Sequence, residues 1–250
     1  TQKHFHSGRL TPYESGPPTM LLAQADEREL DKGVAIMRAI PGATQHAPRR
    51  LLMVRDIAAP TKIVLDRIVD FENYPKMVKG CDRCVNYMVD NRPDGTREIR
   101  SEYQIHALHM KFSYFMRHLV DARSGCVTFV LDYDRLSDID DSVGYWYVQP
   151  RGDASCRGYY SCDTKLRGWV PAPVYAVVDE TALERATTWV SRGALKEWER
   201  LKQGEGALGA QLGKWSRAAR YSLDRMPKLR APELPRLDSM LVPWRQARAT

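Results

Sequence analysis

Residues 56–87 read DIAAPTKIVLDRIVDFENYPKMVKGCDRCVNY, and this stretch constrains the fold more than any other. A strand closes at Ala58-Ala59-Pro60. Ile63, Val64, Ile68 and Phe71 then recur near helical spacing, which predicts a helix over 61–71. Tyr74 precedes Pro75, and a residue before proline is biased away from the α region. The helix is therefore expected to break at Asn73-Tyr74-Pro75, leaving Tyr74 and Met77 to pack beneath a sheet whose next strand begins near Cys81. A strand, helix, break and strand in this order suggest a container for an apolar molecule, not a catalytic centre.

The remaining chain supplies the walls. Strands are predicted at 33–40 and 50–57, then at 84–89, 97–105, 111–120, 127–133, 143–149 and 158–166. Arg92-Pro93-Asp94-Gly95 and Ser124-Gly125 mark tight turns between them. Short strands separated by turn signals about every ten residues indicate an antiparallel sheet. After Pro171-Ala172-Pro173 the pattern becomes one long helix, 174–202, with Leu183, Ala186, Trp189, Val190, Ala194 and Leu201 as its apolar stripe. The broad apolar partner that such a stripe requires is the concave face of the sheet. The layout is α+β: a curved antiparallel sheet gripping a long C-terminal helix. Three regions follow: an N-terminal arm (1–30) with a helix-like piece at 20–30, a central domain (31–203), and a basic, proline-containing extension (204–250).

Charge is unevenly placed. The chain carries a net +7, and residues 204–250 hold nine basic residues against four acids, a surplus of five. Within it, Leu208, Leu212, Trp215, Ala219 and Leu223 lie near one helical face, flanked by Lys214, Arg217, Arg220 and Arg225. A basic amphipathic segment with a tryptophan suits an anionic membrane surface. Beyond it, prolines 227, 232, 235 and 243 break an extended strip bearing Leu229, Leu234, Leu237, Leu241 and Trp244, which needs a partner to order it. Leu212, Trp215, Arg217, Arg220 and Trp244 are the expected contacts to a membrane or a membrane protein complex. Lys and Arg are too sparse, and a stacking platform too absent, for a nucleic-acid arm. No apolar run approaches the roughly 20 residues that span a bilayer. Five cysteines without regular spacing argue for a reducing compartment. A chain that begins at Thr1 leaves room for an upstream targeting segment.

The layout, with Val69-Asp70-Phe71-Glu72-Asn73-Tyr74-Pro75 at the helix break, resembles the START-like, Bet v 1-type helix-grip superfamily, whose relatives include polyketide cyclase-like and coenzyme Q-binding proteins. The segment 131–148 (LDYDRLSDIDDSVGYWYV) resembles a plant and algal branch often assigned to plastids. The similarity covers about residues 31–203 and neither flank. It implies a cavity between sheet and long helix that holds a lipid, isoprenoid, quinone or polyketide, with no required cofactor and no universal catalytic motif. It also implies a chloroplast setting, stroma or thylakoid surface, ahead of the mitochondrial matrix.

Asp132, Asp134, Asp138, Asp140 and Asp141 crowd one loop, but their spacing does not fit an EF-hand, and turn-capping aspartates explain it better. Cys81 and Cys84 have redox-motif spacing, yet they enter a strand, where an offset of three points to opposite faces. His106, His109 and His118 sit on or beside strands, and no nucleophile or orienting carboxylate lies at a recognisable spacing. No catalytic or metal-binding residue is assigned. Phe112, Tyr114 and Met116 share a strand face, as do Phe129 and Leu131, and Tyr145 and Tyr147, while Trp189 and Val190 project from the long helix. These nine are the expected cavity lining, and a solid core is the alternative. Three functions follow: a non-enzymatic binder of a hydrophobic ligand, a structural accessory subunit of an organellar membrane complex, and an aromatase/cyclase-like enzyme that would require Arg117, His118 or Tyr114 to face the cavity.

Overall fold

The computed structural model describes residues 2–40, 50–107, 110–168 and 183–204. The chain divides into two units, Thr1–Lys202 and Gln203–Thr250, and the account below concerns the first. The tail residues Leu212, Trp215, Arg217, Arg220 and Trp244 lie outside the described residues, as does 174–182 of the expected long helix.

Alternation of large apolar and polar side chains builds eight strands: β1 (Ile36–Ile40), β2 (Arg50–Ile57), β3 (Cys81–Asn91), β4 (Arg97–Ala107), β5 (Met110–Asp121), β6 (Cys126–Leu131), β7 (Asp141–Pro150) and β8 (Cys156–Lys165). They form one antiparallel sheet in the order β1-β2-β8-β7-β6-β5-β4-β3. The last six strands are a meander, and β8 pairs back onto β2. Strands β2 and β3 therefore stand far apart in the sheet although close in sequence. The helical segment between them covers that distance with α2 (Thr61–Ile68), a single 3₁₀ turn (Phe71–Asn73) and α3 (Tyr74–Met77). Helix α1 (Gln24–Asp31) precedes β1, and α4 spans residues 183–204.

The break at Tyr74 differs from the expectation. Tyr74 keeps helical backbone angles (φ −52°, ψ −39°), and Pro75 sits in the first turn of α3, where its missing N–H costs no hydrogen bond. The break falls earlier, at Val69 and Asp70. Its effect on Tyr74 is the one expected: the phenol turns inward and donates to the Ile68 carbonyl (2.5 Å).

Each sheet face buries its own cluster. On the α4 side, β5 contributes Phe112, Tyr114, Met116 and Val120, β7 contributes Trp146 and Val148, and α4 contributes Val190 and Ala194. Gly144 lies opposite Phe129 across β6–β7, and a side chain there would overlap the Phe129 ring. Where α4 crosses α2, a Cβ at Gly193 would lie 2.8 Å from Arg67 Cδ, so the glycine permits the close approach.

The other face is covered by the N-terminal arm. Leu30, Ile36, Leu52, Val54, Cys126, Tyr145 and Tyr159 form a second cluster, against which Tyr13, Met20 and Leu22 pack. The arm is pinned to the aspartate-rich loop. Ser7 donates its N–H and hydroxyl to the two Asp140 carboxylate oxygens (2.9 and 2.8 Å), and the Leu10 N–H donates to Asp141 (2.6 Å). His4 accepts the Ser137 N–H at Nδ1 (3.2 Å) and so donates from Nε2 to the Asp140 carbonyl (2.8 Å). Arg157, 2% exposed, clasps Glu27 of α1 and Asp56 of β2.

Candidate functional site

The layer between sheet and α4 combines an aliphatic core with a set of contacting rings. Phe71 lies against His118 (centroids 4.1 Å apart), Tyr103 stacks on Tyr114 (5.2 Å), Trp146 stacks on Tyr160 (4.2 Å), and Tyr74 meets Trp189 edge-on (4.9 Å). Such pairs contribute beyond the area they bury because ring edges and faces carry opposite partial charge. Burial is the largest influence on the Tyr74, Tyr103, Tyr114 and Tyr160 phenols and raises their pKa well above the ordinary tyrosine value. The Cys162 thiol is pushed up to about 11 for the same reason. All five groups are neutral donors at physiological pH.

Tyr74, Tyr114, Tyr160 and Cys162 combine two properties. Their polar atoms are deep enough for desolvation to dominate, yet each side chain is only partly buried. Phe112, Phe129 and Trp189 are also partly accessible while packed on the core. These partly accessible side chains lie on the α4 side of the sheet, where rings, hydroxyls and a thiol stand together. This composition suits an apolar molecule with a few hydrogen-bonding groups.

Of the nine lining residues expected from sequence, Phe112, Tyr114, Met116, Phe129, Leu131, Trp189 and Val190 lie in the α4-side layer. Tyr145 and Tyr147 do not. They face the arm, Tyr145 stacking on Tyr13 (5.1 Å) and Tyr147 meeting Tyr159 (5.7 Å). Tyr145-Trp146-Tyr147 offers an aromatic to either face, and pairing of Phe129 with Gly144 selects Trp146 for the α4-side layer. Sequence reasoning overlooked Tyr74 and Tyr160 among the partly accessible rings of this layer, and Tyr103 and Trp146 buried behind them. The period-two pattern Tyr160/Cys162 on β8 was the available signal.

The other groups are structural. Cys81 and Cys84 both enter the α4-side core, because a bulge between Cys81 and Arg83 shifts the register and removes the opposite-face relation that an offset of three implies. Burial pushes the Cys81 thiol up to about 11 and the Cys84 thiol higher. His118 is 4% exposed, with Nδ1 3.2 Å from the Ile99 carbonyl and Nε2 3.2 Å from the Tyr103 hydroxyl. Burial lowers its pKa to about 4, outweighing the opposing Ile99 contact. Its neighbour Arg117 points to the opposite face, where it lines a 610 Å³ depression with Arg9, Thr11 and Tyr133. His106 is exposed and pairs with Asp82 (2.7 Å). The side chain of His109 lies outside the described residues.

The aspartates are anchors. Asp132 accepts the Tyr87 hydroxyl (2.5 Å) and Arg100, Asp134 accepts Arg100 (3.1 Å), and Asp138 accepts the Ser113 N–H (2.6 Å). Burial opposes ionisation of Asp140, but the Ser7 hydrogen bonds and Lys165 outweigh it and hold its pKa below the usual carboxylate value. Among the described residues no group of three or more His, Cys, Asp or Glu is arranged to hold a metal ion, and no helix is long and apolar enough to cross a membrane.

No protein-family model and no curated protein sequence matches the chain. Solved structures do. Human STARD10 aligns with a TM-score of 0.51 at 11% identity, covering 68% of this chain and 72% of that one. The STAR-related lipid transfer protein from Xanthomonas axonopodis aligns with a TM-score of 0.50 at 14% identity, covering 64% and 93%. The Zhui aromatase/cyclase from Streptomyces sp. R1128 gives 0.47 at 13% identity, covering 66% and 95%. An eight-stranded antiparallel sheet closed by a C-terminal helix, shared with such neighbours, is the START-like helix-grip fold.

Proposed function

We propose that this protein is a non-enzymatic binder of a hydrophobic small molecule, an isoprenoid, quinone, pigment or lipid, held between the sheet and α4. The observation that carries the reading is the accessible ring surface deep in that layer, at Tyr74, Tyr114, Phe129, Tyr160 and Trp189. The fold shared with a STAR-related lipid transfer protein supports it. Two further points favour binding over cyclase chemistry. Both nitrogens of His118 are already within hydrogen-bond distance of protein groups, and Arg117 stands on the other side of the sheet from Tyr114 and His118. Native mass spectrometry of the purified protein, followed by solvent extraction, is expected to release an apolar compound near one per chain. A protein that yields none and also fails to bind a fluorescent apolar probe would end the proposal.

Docking through residues 204–250 is its second part, supported by the surplus of five positive charges and the Leu208–Leu212–Trp215 stripe. The chloroplast setting of that membrane or complex rests on the resemblance of residues 131–148. Deleting 204–250 should reduce sedimentation with anionic vesicles, and unchanged sedimentation removes this part.

A further inference from the structure

The α4-side layer has one charged corner. Arg55 lies on β2 on the same face as Met53, whose cross-strand partner is Tyr160, and Ile57, which belongs to the α4-side core. It reaches under α4, where Nη2 donates to Thr188 Oγ1 (3.2 Å). Its Nε is buried without a hydrogen-bond partner. Among the described residues no carboxylate pairs with it, whereas Arg50, Arg67, Arg100 and Arg157 each face one. Glu184, Thr188 and Arg192 stand at four-residue spacing on α4 above it, so one acid and one base flank the guanidinium and leave its own charge unbalanced. Burial is the largest influence on Arg55 and works against that charge. The cross-strand partner, Gly158, has no side chain, and Ile57 and Trp146 border the space above it. Arg55 therefore stands on the α4-side face, next to the strand that carries Tyr160.

An enclosed guanidinium N–H, such as that on Arg55 Nε, is costly unless something accepts from it. Its planar fork fits two oxygens of one anion. We propose that Arg55, assisted by the Thr188 hydroxyl, receives the anionic head group, a carboxylate or a phosphate, of an amphiphilic ligand whose apolar body lies along Tyr160. The assignment rests on the α4-side layer being a binding site and adds the chemical class of what it binds.

The test titrates the full chain with cis-parinaric acid and with its methyl ester, following probe fluorescence. A charge-assisted contact predicts that the acid binds about tenfold tighter than the ester. Arg55→Gln, checked for an unchanged circular dichroism spectrum, should remove that preference while ester binding persists. Thr188→Val, which leaves the guanidinium in place, should reduce it by a smaller factor. Equal binding of acid and ester to the wild-type chain overturns the assignment and leaves the binding reading standing. A preference that survives Arg55→Gln overturns it as well, as does displacement of the acid by inorganic phosphate alone, which would mean that the site takes a free anion. Failure of both probes to bind overturns the binding reading and the assignment with it.

Discussion

Gly144 lies directly opposite Phe129 across the β6–β7 pair, and the Phe129 ring fills the space that a side chain at 144 would need. A Cβ there would also approach the Ser161 carbonyl oxygen to 2.7 Å, so the neighbouring backbone blocks the alternative route. Gly144→Ala is expected to lower stability by about 1–3 kcal/mol through overpacking. Urea denaturation followed by tryptophan fluorescence measures this, and an unchanged midpoint would show that the sheet accommodates the methyl group.

His118 makes stability depend on pH. Its folded pKa is about 4 against an ordinary value of 6.5, so the unfolded chain binds the extra proton between those values. Stability from this residue is complete above about pH 6.5 and is lost as pH falls toward 4. The pKa difference corresponds to about 3 kcal/mol. His118→Phe should flatten the stability profile between pH 6.5 and 4, as read from denaturation midpoints at intervals across that range.

Asp140 acts at lower pH. Its folded pKa is depressed, so its contribution is present above the unfolded carboxylate value of about 3.9 and fades as pH drops through the folded value. Asp140→Asn removes a charge that accepts two Ser7 hydrogen bonds and faces Lys165 at 3.3 Å. The cost at pH 7 is expected to be about 1–3 kcal/mol. Limited proteolysis should then cut within residues 2–13 sooner than in wild type. Equal cleavage rates would mean that Ser7 and Asp140 do not hold the arm.

Arg157 joins α1 to β2 beneath almost complete burial, whereas Glu27 and Asp56 keep 38% and 23% of their side-chain surface. Water can therefore partly compensate the two acids if the arginine is lost. Arg157→Leu should cost about 3 kcal/mol, the lower end for breaking a buried pair. Amide hydrogen exchange in α1 should rise together with the loss, and exchange confined to β8 would contradict the link to α1.

Thiol chemistry should be slow. Burial raises the Cys81, Cys84, Cys126 and Cys156 thiols, so little thiolate exists at neutral pH. Ellman's reagent is expected to titrate none of these four before denaturant is added. Rapid modification of Cys81 or Cys84 in the native protein would reopen a redox role for the pair.

Much of the architecture was legible in linear order. The limits of β2 agree with the expectation, and the meander β3 to β8 follows the turn signals at Pro93-Asp94-Gly95 and Ser124-Gly125. Where the reading failed, the deciding contact was remote in sequence. Tyr145 and Tyr147 turn away from the α4-side layer because of a strand register and of Tyr13, more than a hundred residues earlier. Cys81 and Cys84 share a face because a bulge adds one residue to the count. Arg55 carried no signal, since its meaning lies in which groups the fold brings beside it, Thr188, Glu184 and Arg192 of α4.

What the sequence determined by itself is the local grammar: periodicity of two or 3.6, turn chemistry, and the supply of large apolar side chains. These are properties of near neighbours, and backbone sterics impose them wherever the chain goes. The tertiary structure alone decided which face each aromatic occupies, that the N-terminal arm closes the second face, and which buried charges are neutralised. Those outcomes depend on pairing and desolvation between segments far apart in the chain, where the free energy belongs to the contact and not to either residue.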